Sequence, residues 1–426
     1  MLKDIKEKLH SGMGKDIILT FTIQILIMLC SFAINKLLAN RLSIDEFGQY
    51  NVIKRSVQVL SFVMLAGVGI ALPRYIPIYR NSNPPRKTAP LLTAALIYII
   101  GITTVVLAIC LLFSSQMRPI IIGESNNSNL MLIAMAYAFI LAMAQYVFAY
   151  YRGSGKYLWY NGSQLFMQLA IIIPLVLLPL LTISNVFGSW LVITILLVVY
   201  LMGRELWRYI HQGGSINLNT NLVPHLTTII KYSSGRLIAD FFQFSLAAFP
   251  LIYISNYYGL QTTAYFSVGI TFVTIITPLF SFLGIILLPY ISQAIARHEM
   301  TAANRLIMRL SILYTLAALV FIALLWLFTE FLTTLLFSSS YVSTIHLTRI
   351  MILAILPQAA YMLFRNTIDA ISVVPYNAII LGICLLAMVV TFMQSVTPVH
   401  FAWAYVAVSG IQGLLSGITW MVLRKK

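Results

Sequence analysis

Apolar runs long enough to cross a lipid bilayer recur along almost the whole of this 426-residue chain. A hydrocarbon layer about 30 Å thick takes about 20 helical residues, each rising about 1.5 Å. Twelve such runs are expected, near 17–39, 51–73, 88–113, 130–151, 157–181, 185–206, 228–254, 264–289, 305–328, 345–365, 374–395 and 400–423. They are too long and too evenly apolar for barrel strands, which need about 10 alternating residues. Charged residues make up 9% of the chain and hydrophobic ones 60%, against about 25% and about 45–50% in soluble domains. No water-soluble core hides so much apolar surface. A soluble enzyme, a nucleic-acid binder and a disordered protein are excluded. An all-α integral membrane protein of twelve transmembrane helices is expected.

The formal charge is +16, from 27 Lys and Arg against 11 Asp and Glu. In a membrane chain such an excess marks the loops that stay on the cytoplasmic side. With the N-terminus inside, twenty basic residues fall in inside segments and four (Lys36, Arg41, Arg118 and Arg349) in outside ones. Both termini are therefore expected in the cytoplasm. Residues 1–16 carry Leu2, Ile5, Leu9 and Met13 at helical spacing among lysines, the pattern of a helix lying on an anionic membrane surface. A second surface helix is expected at 291–304. Cys30, Cys110 and Cys384 sit in apolar runs without CxxC spacing, and the six histidines form no cluster. Neither a disulfide framework nor a metal site is indicated. Pro174, Pro179, Pro250, Pro278 and Pro357 fall inside spans, where a missing N–H permits a kink. No loop is long enough to house a catalytic domain and no phosphate-binding GxxxxGK[ST] sequence occurs, so no enzymatic activity is expected.

The chain also repeats itself. An offset of 216 residues lays span 1 on span 7 and span 2 on span 8, matching Asn40 with Asn256 and Pro73 with Pro289. The same offset matches Tyr98 with Tyr314 and Tyr160-Asn161 with Tyr376-Asn377. Each copy holds an even number of spans, so the two run in the same direction, as in transporters built from parallel repeats. The expected organisation is a surface helix at 1–16, an N-lobe at 17–207, a cytoplasmic linker at 208–225 and a C-lobe at 226–426.

The stretch 38–77 resembles the span 1–2 region of polysaccharide flippases. It carries Leu42, Glu46, Phe47, Gly48 and Tyr50, then Gly67, Ala71, Arg74 and Tyr75, with Pro73 as a departure near the end. The span 7–8 stretch looks like the second-half copy. The resemblance is to the O-antigen type within the multidrug/oligosaccharidyl-lipid/polysaccharide (MOP) exporter superfamily. It implies two six-helix lobes about a pseudo-twofold axis normal to the membrane, with spans 1, 2, 7 and 8 lining a cavity. It implies alternating-access transfer of undecaprenyl-pyrophosphate-linked oligosaccharide from the inner to the outer leaflet of the bacterial inner membrane. A polysaccharide polymerase and a chain-length regulator are the partners it suggests, besides membrane lipids; nucleic acid is not among them. No cofactor is implied beyond proton or sodium coupling.

Five charges lie within spans or near their ends and are the candidate site residues. Asp240 is nine residues past Lys231, about 13.5 Å deeper, and Arg236 is five past it, about 7.5 Å. An ionised group at the midplane costs about 2.5–3.5 kcal/mol unless paired or hydrated. Arg236 and Asp240, four apart, pair on one helix face; alternatively Asp240 takes up a coupling ion while Arg236 meets an anionic substrate. Lys54 and Arg55 lie about 6 Å inside the outer end of span 2, and Lys36 at a similar depth in span 1. Snorkelling explains any one of them. Three cations on adjacent helices repel one another, which a shared pyrophosphate relieves, Arg binding it as a fork and Lys as a point charge. Gln24, Asn35, Gln58, Gln243 and Tyr253 are polar positions with either packing or sugar-contacting roles. Arg74, Arg152 and Arg365 are expected to anchor inner helix ends to headgroups and carbonyls. A cation-coupled multidrug exporter is the alternative reading, for which cavity acids are expected. A membrane polysaccharide polymerase would need a large outside loop.

Overall fold

The computed structural model describes residues 12–82, 87–123, 127–211, 221–296, 300–372 and 374–424. Among them every regular element is a helix. The first half runs α1 (Gly12–Arg41), α2 (Ile44–Leu65), α3 (Val68–Asn81), α4 (Ala89–Leu112), α5 (Ser114–Ile122), α6 (Ser128–Gly153), α7 (Tyr157–Ala170), α8 (Ile172–Leu177) and α9 (Ile183–His211). The second half runs α10 (Val223–Ala296), α11 (Met300–Leu327), α12 (Thr329–Leu336), α13 (Ile345–Ile352), α14 (Ile355–Ile371), α15 (Tyr376–Met393) and α16 (Pro398–Leu423). Leu112 and Leu177 stand more than 70% exposed, a waste of apolar surface in water and the normal outer face of a helix in lipid. The surface helix expected over 1–16 lies outside the described residues up to residue 11, and the one at 291–304 includes the undescribed 297–299.

Ten helical stretches among the described residues are long and apolar enough to cross a membrane; a pair bent by 42°, Ser339–Ile352 with Ile355–Asp369, makes an eleventh. Twelve were expected, and the difference lies at spans 7 and 8. These form one helical run turned at Gly259, inside the gap expected at 255–263, and the φ of 84° and ψ of 168° there suit a residue without Cβ. The matching turn in the first half falls at Leu42-Ser43. Ser43 and Gly259 are 216 positions apart, the offset of the sequence repeat.

Two of the five expected proline kinks are present. Pro174 and Pro357 each occupy the third position of the helix that follows a break, at Ile171 and at Leu353-Ala354. A first turn has no intrahelical acceptor for that N–H, so proline is tolerated there. Pro179 lies past the end of α8 at Leu177. Pro250 and Pro278 sit inside α10 without ending it.

The chain forms two compact units, one of Met1–Leu42 with Ile53–Leu237 and one of Ser43–Val52 with Ile238–Lys426. In the first, α6 packs on α9 and α3, and α1 packs along α7 and α8. The opening turns of α10 belong here. The Tyr79 hydroxyl lies 2.8 Å from His225 Nδ1, and Gly67, at φ 75°, lets α3 approach Ser233. Arg41 reaches from the end of α1 to the carbonyls of Leu175, Leu178 and Pro179, at 2.6, 2.6 and 3.1 Å, and caps α8 with a positive charge. Trp190 donates to the Ile171 carbonyl at the α7/α8 break.

In the second unit α14 packs chiefly on α16. Gly413 lies where a Cβ would come 2.7 Å from the Pro357 carbonyl oxygen, and Phe364 stacks on Trp420 with centroids 5.1 Å apart. Segment 43–52 opens with a reciprocal cap: Ser43 N–H donates to Glu46 Oε2 at 3.0 Å and Glu46 N–H to Ser43 Oγ at 3.2 Å. Phe47 is buried against Phe337 and Tyr341. Gly48 faces the Leu260 backbone so closely that a Cβ would sit 2.1 Å from its carbonyl oxygen.

Candidate functional site

In the second unit polar side chains gather on the apolar span formed by α14. Gln358, Tyr361, Arg365 and Asp369 recur at three- and four-residue spacing, so they line one helix face over about 16 Å. Arg365 Nη2 lies 3.4 Å from Asp240 Oδ1 on α10, with side chains 30% and 21% exposed. The Tyr361 hydroxyl donates to Gln243 Oε1, 3.3 Å away and one turn beyond Asp240. From the start of α15, Asn377 Nδ2 donates to Asp369 Oδ1 at 2.7 Å and to the Arg365 carbonyl at 3.0 Å. Gln358 Nε2 bonds Tyr405 Oη at 3.0 Å on α16. Three helices thus meet around one guanidinium and two carboxylates, and α16 joins the same face two turns away.

This corrects one expectation. Arg365 does not serve as a headgroup anchor; it partners Asp240. A second acid, Asp369, closes the bent span containing α14. The i, i+4, i+8 run of Tyr361, Arg365 and Asp369 carries that signal in the sequence. Its cross-helix partners were not readable from spacing.

The other candidates lie in the first unit. Lys36 is exposed on α1, while Lys54 and Arg55 are half-buried on α2. Arg55 Nη1 donates to Gln58 Oε1 at 3.3 Å, a neutral partner within its own helix. Arg236 lies on α10, its side chain outside the described residues. Of the neutral candidates, Gln24 bonds Gln164 at 3.2 Å, and Tyr253 sits among Phe249, Tyr257 and Phe401. Both serve packing. Asn161 and its repeat mate Asn377 are both buried; Asn161 donates to Thr20 at 2.9 Å. Arg74 stacks over the Tyr232 ring, 4.4 Å from its centre, and Arg152 donates to the Gly69 carbonyl at 2.9 Å.

At the end of α9 basic residues converge on one carboxylate. Glu205 takes Lys156 at 2.5 Å, Arg204 at 2.8 Å and Arg208 at 3.7 Å. The Arg204 guanidinium lies flat on Trp159, 3.3 Å from the ring centre.

By sequence, no family model and no curated protein matches the chain. Solved structures do match it over nearly their full lengths. An inward-facing multidrug resistance MATE family transporter of the MOP superfamily superposes with a TM-score of 0.69 at 12% identity, covering 96% of this chain and 97% of its own. The lipid II flippase MurJ, inward closed, gives 0.69 at 14% identity over 96% and 89%. A MOP superfamily transporter from Pyrococcus furiosus Vc1, described by the reverse polarity of its binding pocket, gives 0.59 at 14% identity over 96% and 93%. The chain has the fold of MOP-superfamily transporters.

Proposed function

We propose that the protein is a flippase of the bacterial inner membrane, with both termini cytoplasmic, that moves an undecaprenyl-pyrophosphate-linked oligosaccharide to the outer leaflet for surface polysaccharide synthesis. A sugar-pyrophosphate head does not cross hydrocarbon unaided, because stripping water from its charges is prohibitive. Cations exposed alternately to the two membrane faces replace that water while the polyprenyl tail stays in lipid. The observation that carries the reading is the pair Lys54 and Arg55, half-buried side by side in a membrane-spanning helix. In this reading Lys36, Lys54, Arg55 and Arg236 contact the pyrophosphate. Asp240, with Arg365 beside it, takes up the coupling ion, a proton or sodium.

The multidrug alternative is favoured by the equal fold match to the MATE transporter and by the carboxylates Asp240 and Asp369. Reconstitution in vesicles separates the two. Leaflet exchange of a labelled polyprenyl-pyrophosphate oligosaccharide supports the flippase; gradient-driven efflux of a cationic dye without that exchange overturns it.

A further inference from the structure

Between α7 and α9 of the first unit runs a groove of about 740 Å³. Trp159, Gly162, Phe166, Ile193, Leu197 and Tyr200 line it, and no charged side chain does. Phe166 and Tyr200 are about 60% exposed, so the groove opens toward the surrounding lipid. Along α9 its lining runs from Ile193 to Leu201, about 12 Å, close to half of a hydrocarbon layer about 30 Å thick. One end abuts the basic cluster of Lys156, Arg204 and Arg208, which Glu205 offsets only in part, leaving a surplus of two positive charges. Trp159 belongs to both features, lining the groove and carrying Arg204 on its face.

We propose that this is a binding site for an anionic glycerophospholipid, with one acyl chain in the groove and the phosphate against Arg204, Arg208 and Lys156. The depth fits a chain confined to one leaflet, which favours a bilayer phospholipid over a polyprenyl chain that crosses the midplane. The charge fits an acidic headgroup; Arg offers a phosphate two parallel donors. The site holds whichever cargo the protein carries.

The test reconstitutes the full chain in nanodiscs of phosphatidylcholine doped with chain-brominated phosphatidylglycerol or chain-brominated phosphatidylcholine. Bromine quenches tryptophan on contact, and the difference between wild type and Trp159→Phe isolates Trp159 from the other five tryptophans. The expected result is quenching about fivefold more effective with the brominated phosphatidylglycerol, the preference that one basic side chain contributes at a surface. Arg204→Gln with Arg208→Gln should bring that ratio to about one. Gly162→Leu, introduced where a Cβ meets no atom within 4 Å, should fill the groove and lower quenching by both lipids while the protein stays folded. Equal quenching by the two lipids, or a preference that survives the double substitution, overturns the site. Displacement of the brominated lipid by unbrominated polyprenyl phosphate at a lower mole fraction than by unbrominated phosphatidylglycerol overturns the choice of occupant.

Discussion

Gly48→Ala is a demanding test of how the second unit is held together. The added Cβ would stand 2.1 Å from the Leu260 carbonyl oxygen and 2.9 Å from its carbon. Carbon and oxygen atoms in favourable contact sit about 3.3 Å apart, so the two backbones must separate by about 1 Å. Neither atom belongs to a side chain, and no rotamer change relieves the overlap. A gap of about 0.5–1 Å forfeits a quarter to a half of each dispersion contact along the seam. Overpacking costs about 1–3 kcal/mol, and backbone against backbone belongs at the upper end. At about 2–4 °C per kcal/mol for a unit of this size, Tm should fall by about 6–12 °C. The assay is monodisperse elution of the detergent-purified protein after heating through a temperature series. Gly188→Ala is the control, since its Cβ meets nothing within 4 Å inside a helix, and it should melt at or slightly above the wild-type temperature. If the two variants melt together, close backbone approach is not what position 48 provides.

Other expectations concern charge. Arg365→Gln removes the partner of a carboxylate within a span and should lower Tm, whereas Asp240→Asn with Arg365→Gln should recover about half of the loss, because no uncompensated charge remains; equal losses would place the role of Arg365 elsewhere. Asp240→Asn alone should remove the dependence of transport on an ion gradient in vesicles, and unchanged dependence would leave it a structural partner of Arg365. Lys54→Ala and Arg236→Ala should each reduce surface polysaccharide at normal membrane abundance, and normal export in both would remove them from the substrate path. Arg41→Ala strips three carbonyls of a charged donor, each such bond being worth about 1.5–3 kcal/mol when buried and less at this partly exposed end; a Tm within about 1 °C of wild type would show that the cap contributes nothing.

Much of the fold was legible because lipid imposes long apolar helices whatever the packing. The repeat offset was legible too: it rests on Pro, Asn and Tyr pairs, and the helix breaks at Ser43 and Gly259 keep the same spacing. So was the break between spans 7 and 8: the gap expected at 255–263, rich in Ser, Asn, Gln and Thr, holds the turn at Gly259. The bend before Pro357 was legible as well, because the missing N–H frees the Leu353 carbonyl, where the helix breaks. Arg365 was misread. Helical periodicity gives the face a residue occupies, but the neighbour on that face, here Asp240 from 125 positions away, is settled by tertiary packing.

The same distinction bears on what the resemblance to polysaccharide flippases conveys. Its residues can now be assigned work, and the work is architectural. Glu46 closes the cap on Ser43, Phe47 fills an aromatic cluster, and Gly48 admits the Leu260 backbone. Gly67 provides a positive-φ bend against Ser233, Ala71 is fully buried, and Arg74 and Tyr75 both pack on Tyr232. None of these side chains is a candidate for touching cargo. A motif built from caps and close contacts marks a way of folding rather than a cargo. Under the proposed function, discrimination between cargoes is assigned to positions outside the motif: Lys36, Lys54, Arg55 and Arg236 in the first unit, and the carboxylates around Arg365 in the second. Exchanging the sign of charge at Lys54 and Arg55 should change which substrates move and leave Tm nearly unaltered, whereas Gly48→Ala should do the reverse.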